Sequence, residues 1–371
     1  MMPIATRQRT SGASRSSSLI AQSPPLLPPF VPPLWLHGGH AQTLWANYAE
    51  RATNTEPLVE GATVIHVRVE DGDELRVHWT QSPKKNAAAP PARSDVASGH
   101  PVLLLLHGLT GCAGSPCLTA LGAKALDRGF DVVRVDLRNA FGDTPSVGVG
   151  HAGRSEDFRA AVDHIGLVAP GRPVCAIGQS MGGNIALKAA GEYGHAAPPQ
   201  LRAVVGISVP IDLDAASTLI DRRSNWPYRR YFLRRLEQIV AIRSGLNPEI
   251  YRGVQYRGMR TLREFDNAVV AGICDFADAD DYYRRSSSVR TIDQVRVPTL
   301  LIQSRDDPFV PFASYGDPRV RNNPCVTLAS TPRGGHVGFY ARSAADDVDR
   351  YWAENRALDF CASSLCGASP S

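Results

Sequence analysis

At 371 residues, with 43% hydrophobic and 20% charged content, the chain has the composition of an ordinary globular protein and excludes a disordered or fibrous one. It is long enough to bury a large core, as one big α/β domain or two smaller ones. The net charge of +4 is spread along the sequence and selects no partner, and seven cysteines in so long a chain do not make a disulfide scaffold.

Residues 1–23 read as disordered: they are basic and serine-rich and lack the apolar block of a signal peptide. PPLLPPFVPPLWL (24–36) is apolar, but its prolines rule out a spanning helix, so it reads as an extended arm laid over the surface. Residues 1–30 are therefore set apart from a folded unit over 31–371. TVIHVRV (63–69) and LRVHW (75–79) alternate with period two around Asp71 and Gly72, which predicts a hairpin. SPKKNAAAPPARSDVASG (82–99) reads as a loose exposed connection.

A strand–helix alternation follows. VLLLLH (102–107), FDVVRVDL (130–137), PVCAIG (173–178) and LRAVVGISVP (201–210) are apolar runs of the kind buried on both faces of a parallel sheet. Between them stand helical stretches: LTALGAKALDRG (118–129) ends at Gly129, SEDFRAAVDHIGLVA (155–169) has Ser155 as N-cap, and NIALKAAGEYG follows the third strand. Residues 211–290 break the order with helical segments and no convincing strand, as a second domain or a cap over the sheet edge would. Within them RRSNWPYRRYFLRR (222–235) has a nucleic-acid or membrane patch as one reading, and the solvated face of a helix with tyrosine and tryptophan packed beneath as the preferred one. Nothing with it resembles a zinc finger or an RNA-binding aromatic signature, so no nucleic-acid partner is expected. Strands VPTLLIQS (297–304) and CVTLAS (325–330), then a terminal helix in AADDVDRYWAENRALDFCASS, complete the chain.

GQSMGGN (178–184) places Gly178-x-Ser180-x-Gly182 between a strand and a helix, the context of a nucleophile elbow. A serine needs a base to react at neutral pH. Of ten histidines only His195 and His336 follow Ser180; His195 lies along the same helical region, whereas His336 sits in the glycine-bearing loop TPRGGHVGF after a strand. His336 is the candidate base, with His151 as runner-up. QSRDDPFVP supplies Asp307, preferred over Asp306, to orient the histidine, and Asp212 and Asp214 are an alternative acid position. HGLTG (107–111) follows the first strong strand, so the Leu109 backbone N–H is expected to join that of Met181 in an oxyanion hole. Cys112 and Cys117 flank that loop without an ordering partner and read as structural thiols; Cys175 and Cys325 lie in apolar runs and read as buried.

GGHAQTLW (38–45), HGLTGCAGSP (107–116), GQSMGGN, TLREFDNAVVAGICDFADADDYYRRSS (261–287), QSRDDPFVP and GGHVGFY together resemble the YheT-like branch of the α/β-hydrolase superfamily, the AB hydrolase 4 group that includes ABHD1/ABHD3-type proteins. The resemblance covers nearly the whole chain after residue 30. It implies an α/β-hydrolase fold: a mostly parallel central sheet flanked by helices, with 211–290 as a helical cap inserted before the strand that precedes the catalytic acid. It also implies Ser180 as nucleophile, Asp307 as acid and His336 as base, in a family of carboxylic-ester hydrolases, some acting on lipid esters. Related eukaryotic proteins include alcohol acyltransferases. Gln179 and Met181 depart from the usual G-[FYV]-S-L-G-G-N elbow, which alters the pocket without removing a catalytic group.

The expected activity is hydrolysis of uncharged carboxylic esters, small or lipid-like, of short to medium acyl length through an acyl-enzyme. Alternatives are alcohol acyl transfer, a different triad chemistry (haloperoxidase-like or carbon–carbon hydrolysis), and a binding role on a hydrolase fold. No metal or organic cofactor is expected, and no transmembrane segment, which leaves peripheral membrane contact open. The cytoplasm is the default location. Tyr228, Tyr231, Phe232 and Leu236 either line an acyl pocket or hold the cap on the sheet.

Overall fold

The computed structural model of the chain describes residues 27–49, 51–83, 99–138, 140–142, 145–343 and 347–366. The expected disorder over 1–23 and nearly all of the 82–99 connection lie outside the described residues. In chain order, α1 (Gly39–Tyr48) and α2 (Glu56–Glu60) lead into the hairpin β1 (Ala62–Arg68) and β2 (Glu74–Thr80). Then come β3 (Val102–Leu106), α3 (Pro116–Asp127), β4 (Asp131–Asp136), α4 (Ser155–Val168), β5 (Val174–Gln179), α5 (Met181–Tyr193) and β6 (Leu201–Ile207). Helices α6 (Leu213–Ile220), α7 (Trp226–Leu246), α8 (Leu262–Phe265) and α9 (Ala279–Ser286) follow, before β7 (Thr299–Ser304), α10 (Pro318–Arg321), β8 (Val326–Thr331) and α11 (Trp352–Cys366).

The strands form one eight-stranded sheet ordered β1-β2-β4-β3-β5-β6-β7-β8. The β1–β2 and β2–β4 pairs are antiparallel and every other pair is parallel, so the fold is the expected α/β hydrolase. Every residue of β3, β4, β5 and β7 is buried, which is why these runs are apolar without alternation. Edge strand β1 alternates and is largely solvated. From β3 the chain moves to β4 on one side and then returns to β5 on the other. The crevice beyond the carboxyl ends of β3 and β5 is thus a topological switch point, where ligands of such sheets bind.

One core cluster packs α4 and α5 on one face of the sheet, through Phe158, Ile165, Ile185 and Leu187. The other face carries α3 and α11, through Leu118, Leu121, Trp352 and Leu358. A third cluster, with Leu233, Leu236, Val240, Leu262, Phe265 and Val269, belongs to the helices between β6 and β7. Residues 27–33 run without regular structure along the second cluster: Leu27 and Phe30 pack on it, and the Trp352 indole N–H donates to the Pro28 carbonyl at 2.9 Å.

Several local expectations need correction. Ser155 is the first residue of α4 and makes no capping bond; its hydroxyl instead accepts from Arg159 and Lys188. Helix α11 starts at Trp352, several residues later than expected. Asp349 accepts from the Tyr351 N–H and pairs with Lys124, and Tyr351 bridges to Tyr340, so the preceding segment is already committed elsewhere. Cys325 is partly exposed where burial was expected. Trp226 and Tyr231 are 56% and 48% exposed, so of the aromatic residues in that arginine-rich stretch only Tyr228 and Phe232 pack against the core.

Asn184, in the first turn of α5, is completely buried. Its amide donates to the carbonyls of Ala152 and Ser286, both at 2.9 Å, and its oxygen accepts the Ser288 N–H at 2.9 Å. One side chain thus ties α5 to the loop before α4 and to the segment returning from the inserted helices. Asn184→Ala strands three buried backbone groups, each costing about 1–3 kcal/mol. The expected result is an unfolding free energy lowered by at least about 2 kcal/mol, read as a lower urea midpoint at unchanged m-value. An unaltered midpoint would show that these segments hold together without it.

Candidate active site

Strand β5 runs directly into α5 through Ser180, whose backbone adopts φ 51° and ψ −122°. A non-glycine residue held there costs about 1–3 kcal/mol and persists only where its surroundings dictate it. Those surroundings are tight. The Ser180 N–H donates to the Ile207 carbonyl of β6 at 2.9 Å, and a Cβ on Gly182 would lie 2.5 Å from the His107 carbonyl oxygen. Only glycine at 182 lets α5 start against the end of β3.

The Ser180 hydroxyl lies 3.0 Å from His336 Nε2, and His336 Nδ1 lies 2.9 Å from Asp307 Oδ2. Because the carboxylate can only accept, Nδ1 carries the proton and donates to it, and the lone pair of Nε2 faces the serine. Asp307 is buried, and its negative charge is met by N–H donors rather than by a cation. Oδ1 accepts from Phe309 and Val310 at 2.8 and 3.0 Å, and Oδ2 accepts from the Gln303 amide at 3.2 Å. The Phe309 ring covers the imidazole at 4.7 Å.

The loop carrying His336 is held by α1. The His336 N–H donates to Thr43 Oγ1 at 2.9 Å, while Gln42 accepts the Tyr340 N–H at 2.7 Å and donates to the Tyr340 carbonyl at 3.0 Å. A Cβ on Gly39 would sit 1.9 Å from the Asp306 carbonyl oxygen, so α1 abuts the acid-bearing loop as well. The Val337 N–H donates to Ser208 Oγ at 2.9 Å, which fixes the other side of the loop to the end of β6. Thr43, Gln42 and Gly39 carry no chemical signature in the sequence, and GGHAQTLW marks them only as a motif.

The other candidates separate cleanly. Asp306 accepts the Gly335 N–H at 3.0 Å and supports the loop without meeting the imidazole. Asp212 caps α6, accepting from the Ala215 N–H at 3.1 Å, and Asp214 pairs with Arg263. His195 is at the exposed end of α5 and meets Arg296. His151 is buried, with Nδ1 accepting the Gly153 N–H and its ring edge-on to Phe276 and Tyr282. Burial, reinforced by Arg154 and other nearby cations, holds it well below the ordinary histidine range, so it stays neutral. Burial likewise pushes the Cys117 thiol up and keeps it protonated.

A cavity of about 810 Å³ opens over this row. Leu109 and Met181 line it beside Ser180, and a Cβ on Gly108 would fall 3.2 Å from that of Ser180, so the HGLTG loop is in contact with the elbow. Tyr228, Tyr231, Phe232 and Leu236 line it from α7. Its wall also holds one carboxyl with no role in the sequence reading. Asp266 accepts from the Tyr283 hydroxyl at 2.6 Å, and Tyr283 meets Ser217 Oγ at 2.9 Å. Asp266 begins a π-helical turn, Asp266–Ala271, of a kind frequent at functional sites.

The fold and the hydrogen-bonded row define the α/β-hydrolase class. The chain belongs to the alpha/beta hydrolase family, whose model matches residues 103–350. It is related to YheT of Escherichia coli, at 28% identity over 339 residues covering 91% of this chain and 94% of that one. The phospholipase ABHD3 of Mus musculus is 28% identical over 332 residues, covering 88% of this chain and 77% of that one. A medium-chain fatty acid ethyl ester synthase/esterase of Saccharomyces cerevisiae is 27% identical over 288 residues, 70% of this chain and 61% of that one. Among solved structures, an esterase of Pyrococcus furiosus superposes with a TM-score of 0.53 at 17% identity, over 86% of this chain and 96% of that one, a likeness of fold alone.

Burial pushes the Asp266 carboxyl up to about 7, against the lowering effect of the Tyr283 hydroxyl. Between the ordinary carboxylate range and that value the native protein holds a proton that the unfolded chain has lost. Stability is therefore expected to fall as pH rises through this window. Between pH 5 and 8 the loss from this group is on the order of 2 kcal/mol. Asp266→Asn should remove that part of the slope in urea melts at the two pH values; an unchanged slope would assign it to other groups.

Proposed function

We propose that this chain is a serine carboxylesterase of the YheT-like branch, cleaving uncharged esters of short to medium acyl length through an acyl-enzyme. The observation that carries the reading is the unbroken row from Ser180 through His336 to Asp307, at 3.0 and 2.9 Å. The reading is further supported by the names of relatives, which include a phospholipase and an ester synthase/esterase. The largely apolar cavity suits an acyl chain, and the helices of 211–290 act as its cap.

In this mechanism His336 Nε2 takes the proton of Ser180 as the oxygen attacks the ester carbonyl. The backbone N–H groups of Leu109 and Met181 receive the oxyanion, aided by the partial positive charge at the N-terminus of α5. His336 protonates the departing alcohol and then activates the water that releases the acid. Asp307 remains ionised, holds the imidazole in the required tautomer and stabilises its charged form. A low-dielectric site strengthens each of these interactions.

A second reading, transfer of the acyl group to an alcohol, draws on the apolar walls that disfavour water and on the name of the yeast relative. Added alcohol would then divert product from acid to ester at constant total turnover.

A chain-length series of p-nitrophenyl esters should show turnover that falls for long acyl groups. Ser180→Ala is expected to lower it about 10⁴–10⁶-fold and to abolish fluorophosphonate labelling, with thermal stability retained. Labelling that persists at another residue would remove Ser180 from its role. Thr43→Val takes away the acceptor for the His336 N–H, and should lower kcat about tenfold, roughly 1.4 kcal/mol, with KM little changed. A change confined to KM would mean that α1 shapes the pocket rather than the histidine.

A further inference from the structure

Helix α7 presents three adjacent rows of side chains, each spaced by four residues. Tyr228, Phe232 and Leu236 face the cavity wall, and Pro227, Tyr231 and Arg235 line it as the next row. Trp226, Arg230 and Arg234 form the outermost row and are exposed. Between Arg222 and Leu236 the sequence carries six arginines and no acid. Two of them are used internally: Arg235 lies over the Phe141 ring, and Arg229 donates to the Asp221 carbonyl. Arg222, Arg223, Arg230 and Arg234 stand exposed with no acidic partner among the described residues.

The opposite rim of the cavity is α1, where Leu44 and Tyr48, one turn apart, line the opening and are 45% and 76% exposed. The two rims meet, with His40 stacked on Tyr228 and hydrogen-bonded to it at 3.1 Å. An exposed ring of aromatic and aliphatic groups at a cavity mouth, edged by unpaired arginines, is not what a freely solvated helix requires. Apolar groups that size favour removal from water, and free guanidinium groups favour phosphate.

We infer that the α1–α7 rim of the cavity docks on an anionic lipid surface, with the mouth of the cavity facing it. Trp226, Tyr231 and Tyr48 sit at headgroup depth, where their amphipathic rings are favoured, and Arg222, Arg223, Arg230 and Arg234 reach lipid phosphates. Charge complementarity selects this occupant. Asp221 and Glu237 flank the stretch, but among the described residues no carboxylate pairs with its four exposed arginines, and its aromatic rings flank the cavity opening instead of forming a groove for stacked bases. Delivery of an ester from the surface to Ser180 rests on the reading above; the docking itself does not.

The test is co-sedimentation of the full chain with vesicles of phosphatidylcholine alone or mixed with phosphatidylglycerol, at low and high salt. The protein should pellet with the mixed vesicles, remain in solution with the neutral ones, and be largely released by salt. The triple variant R223E/R230E/R234E should weaken pelleting at least tenfold, and Trp226→Ser should weaken the part that survives salt. Both variants should keep the thermal midpoint and the turnover of soluble p-nitrophenyl acetate within twofold. Failure of the native chain to pellet, equal pelleting of the variants, tighter binding to a single-stranded RNA oligonucleotide, or burial of the patch in a solution dimer would each overturn the inference. Vesicle binding by a protein with no ester turnover would leave the surface standing and remove only the delivery of substrate.

Discussion

The structure turns on how closely α5 approaches the end of β3. Ser180 occupies a positive-φ turn because the chain must change from strand to helix within one residue, and that turn is held by the β6 carbonyl that accepts its N–H. The absence of a side chain at Gly182 lets the helix start against the His107 carbonyl. Loosen that approach and the hydroxyl no longer stands at the switch point between β3 and β5. The HGLTG loop, the cavity mouth and the imidazole are all arranged around it. The strain of the turn is therefore maintained by the sheet, whose strands β3 and β5 are fully buried.

A second constraint follows from burying Asp307 without a cation. Its charge is tolerated because two backbone N–H groups, one amide and the imidazole all donate to it. The amide comes from β7, the two backbone N–H groups from the turn after it and the imidazole from the loop after β8, so the carboxylate can exist only if that turn keeps its shape. Helix α1 guards the shape from outside, with Gly39 against Asp306 and Thr43 on the backbone of His336. A segment that precedes the whole sheet in sequence thus sets the position of groups near the far end of the chain.

What was legible in the sequence is what depends on neighbours in sequence. Continuous apolar runs gave the buried strands, alternation gave the hairpin, and glycine-flanked Ser180 gave the elbow because strand, turn and helix are contiguous. The pairing of His336 with Asp307 could be anticipated because both sit in loops directly after strands of one sheet. Gln42, Thr43 and Asn184 were legible only as letters in motifs. Their partners lie roughly 30 to 300 residues away, and nothing local distinguishes a threonine that accepts a loop N–H from a solvated one. The arginine-rich stretch misled for a related reason. Composition suggests aromatic groups beneath a charged face, but the helical period puts Trp226 in the same row as Arg230 and Arg234.

The same period explains how one helix serves both the cavity and its rim. Leu233, Leu236 and Val240 of α7 belong to a cluster shared with α8 and the π-helical turn, so the inserted helices carry a small core of their own. That core lets α7 lie across the mouth without being pressed fully into the sheet. Its inner row then supplies aromatic walls, while its outer row stays free for charge. Asp266 is placed by the same packing, since the π-helical turn that follows Phe265 directs its carboxyl to Tyr283 at the cavity wall. Among the described polar groups that line the chamber, Asp266 is the one carboxyl, and burial pushes it up to about 7. The helices between β6 and β7 thus bring part of the apolar lining, this carboxyl and the exposed arginines of α7 to one chamber.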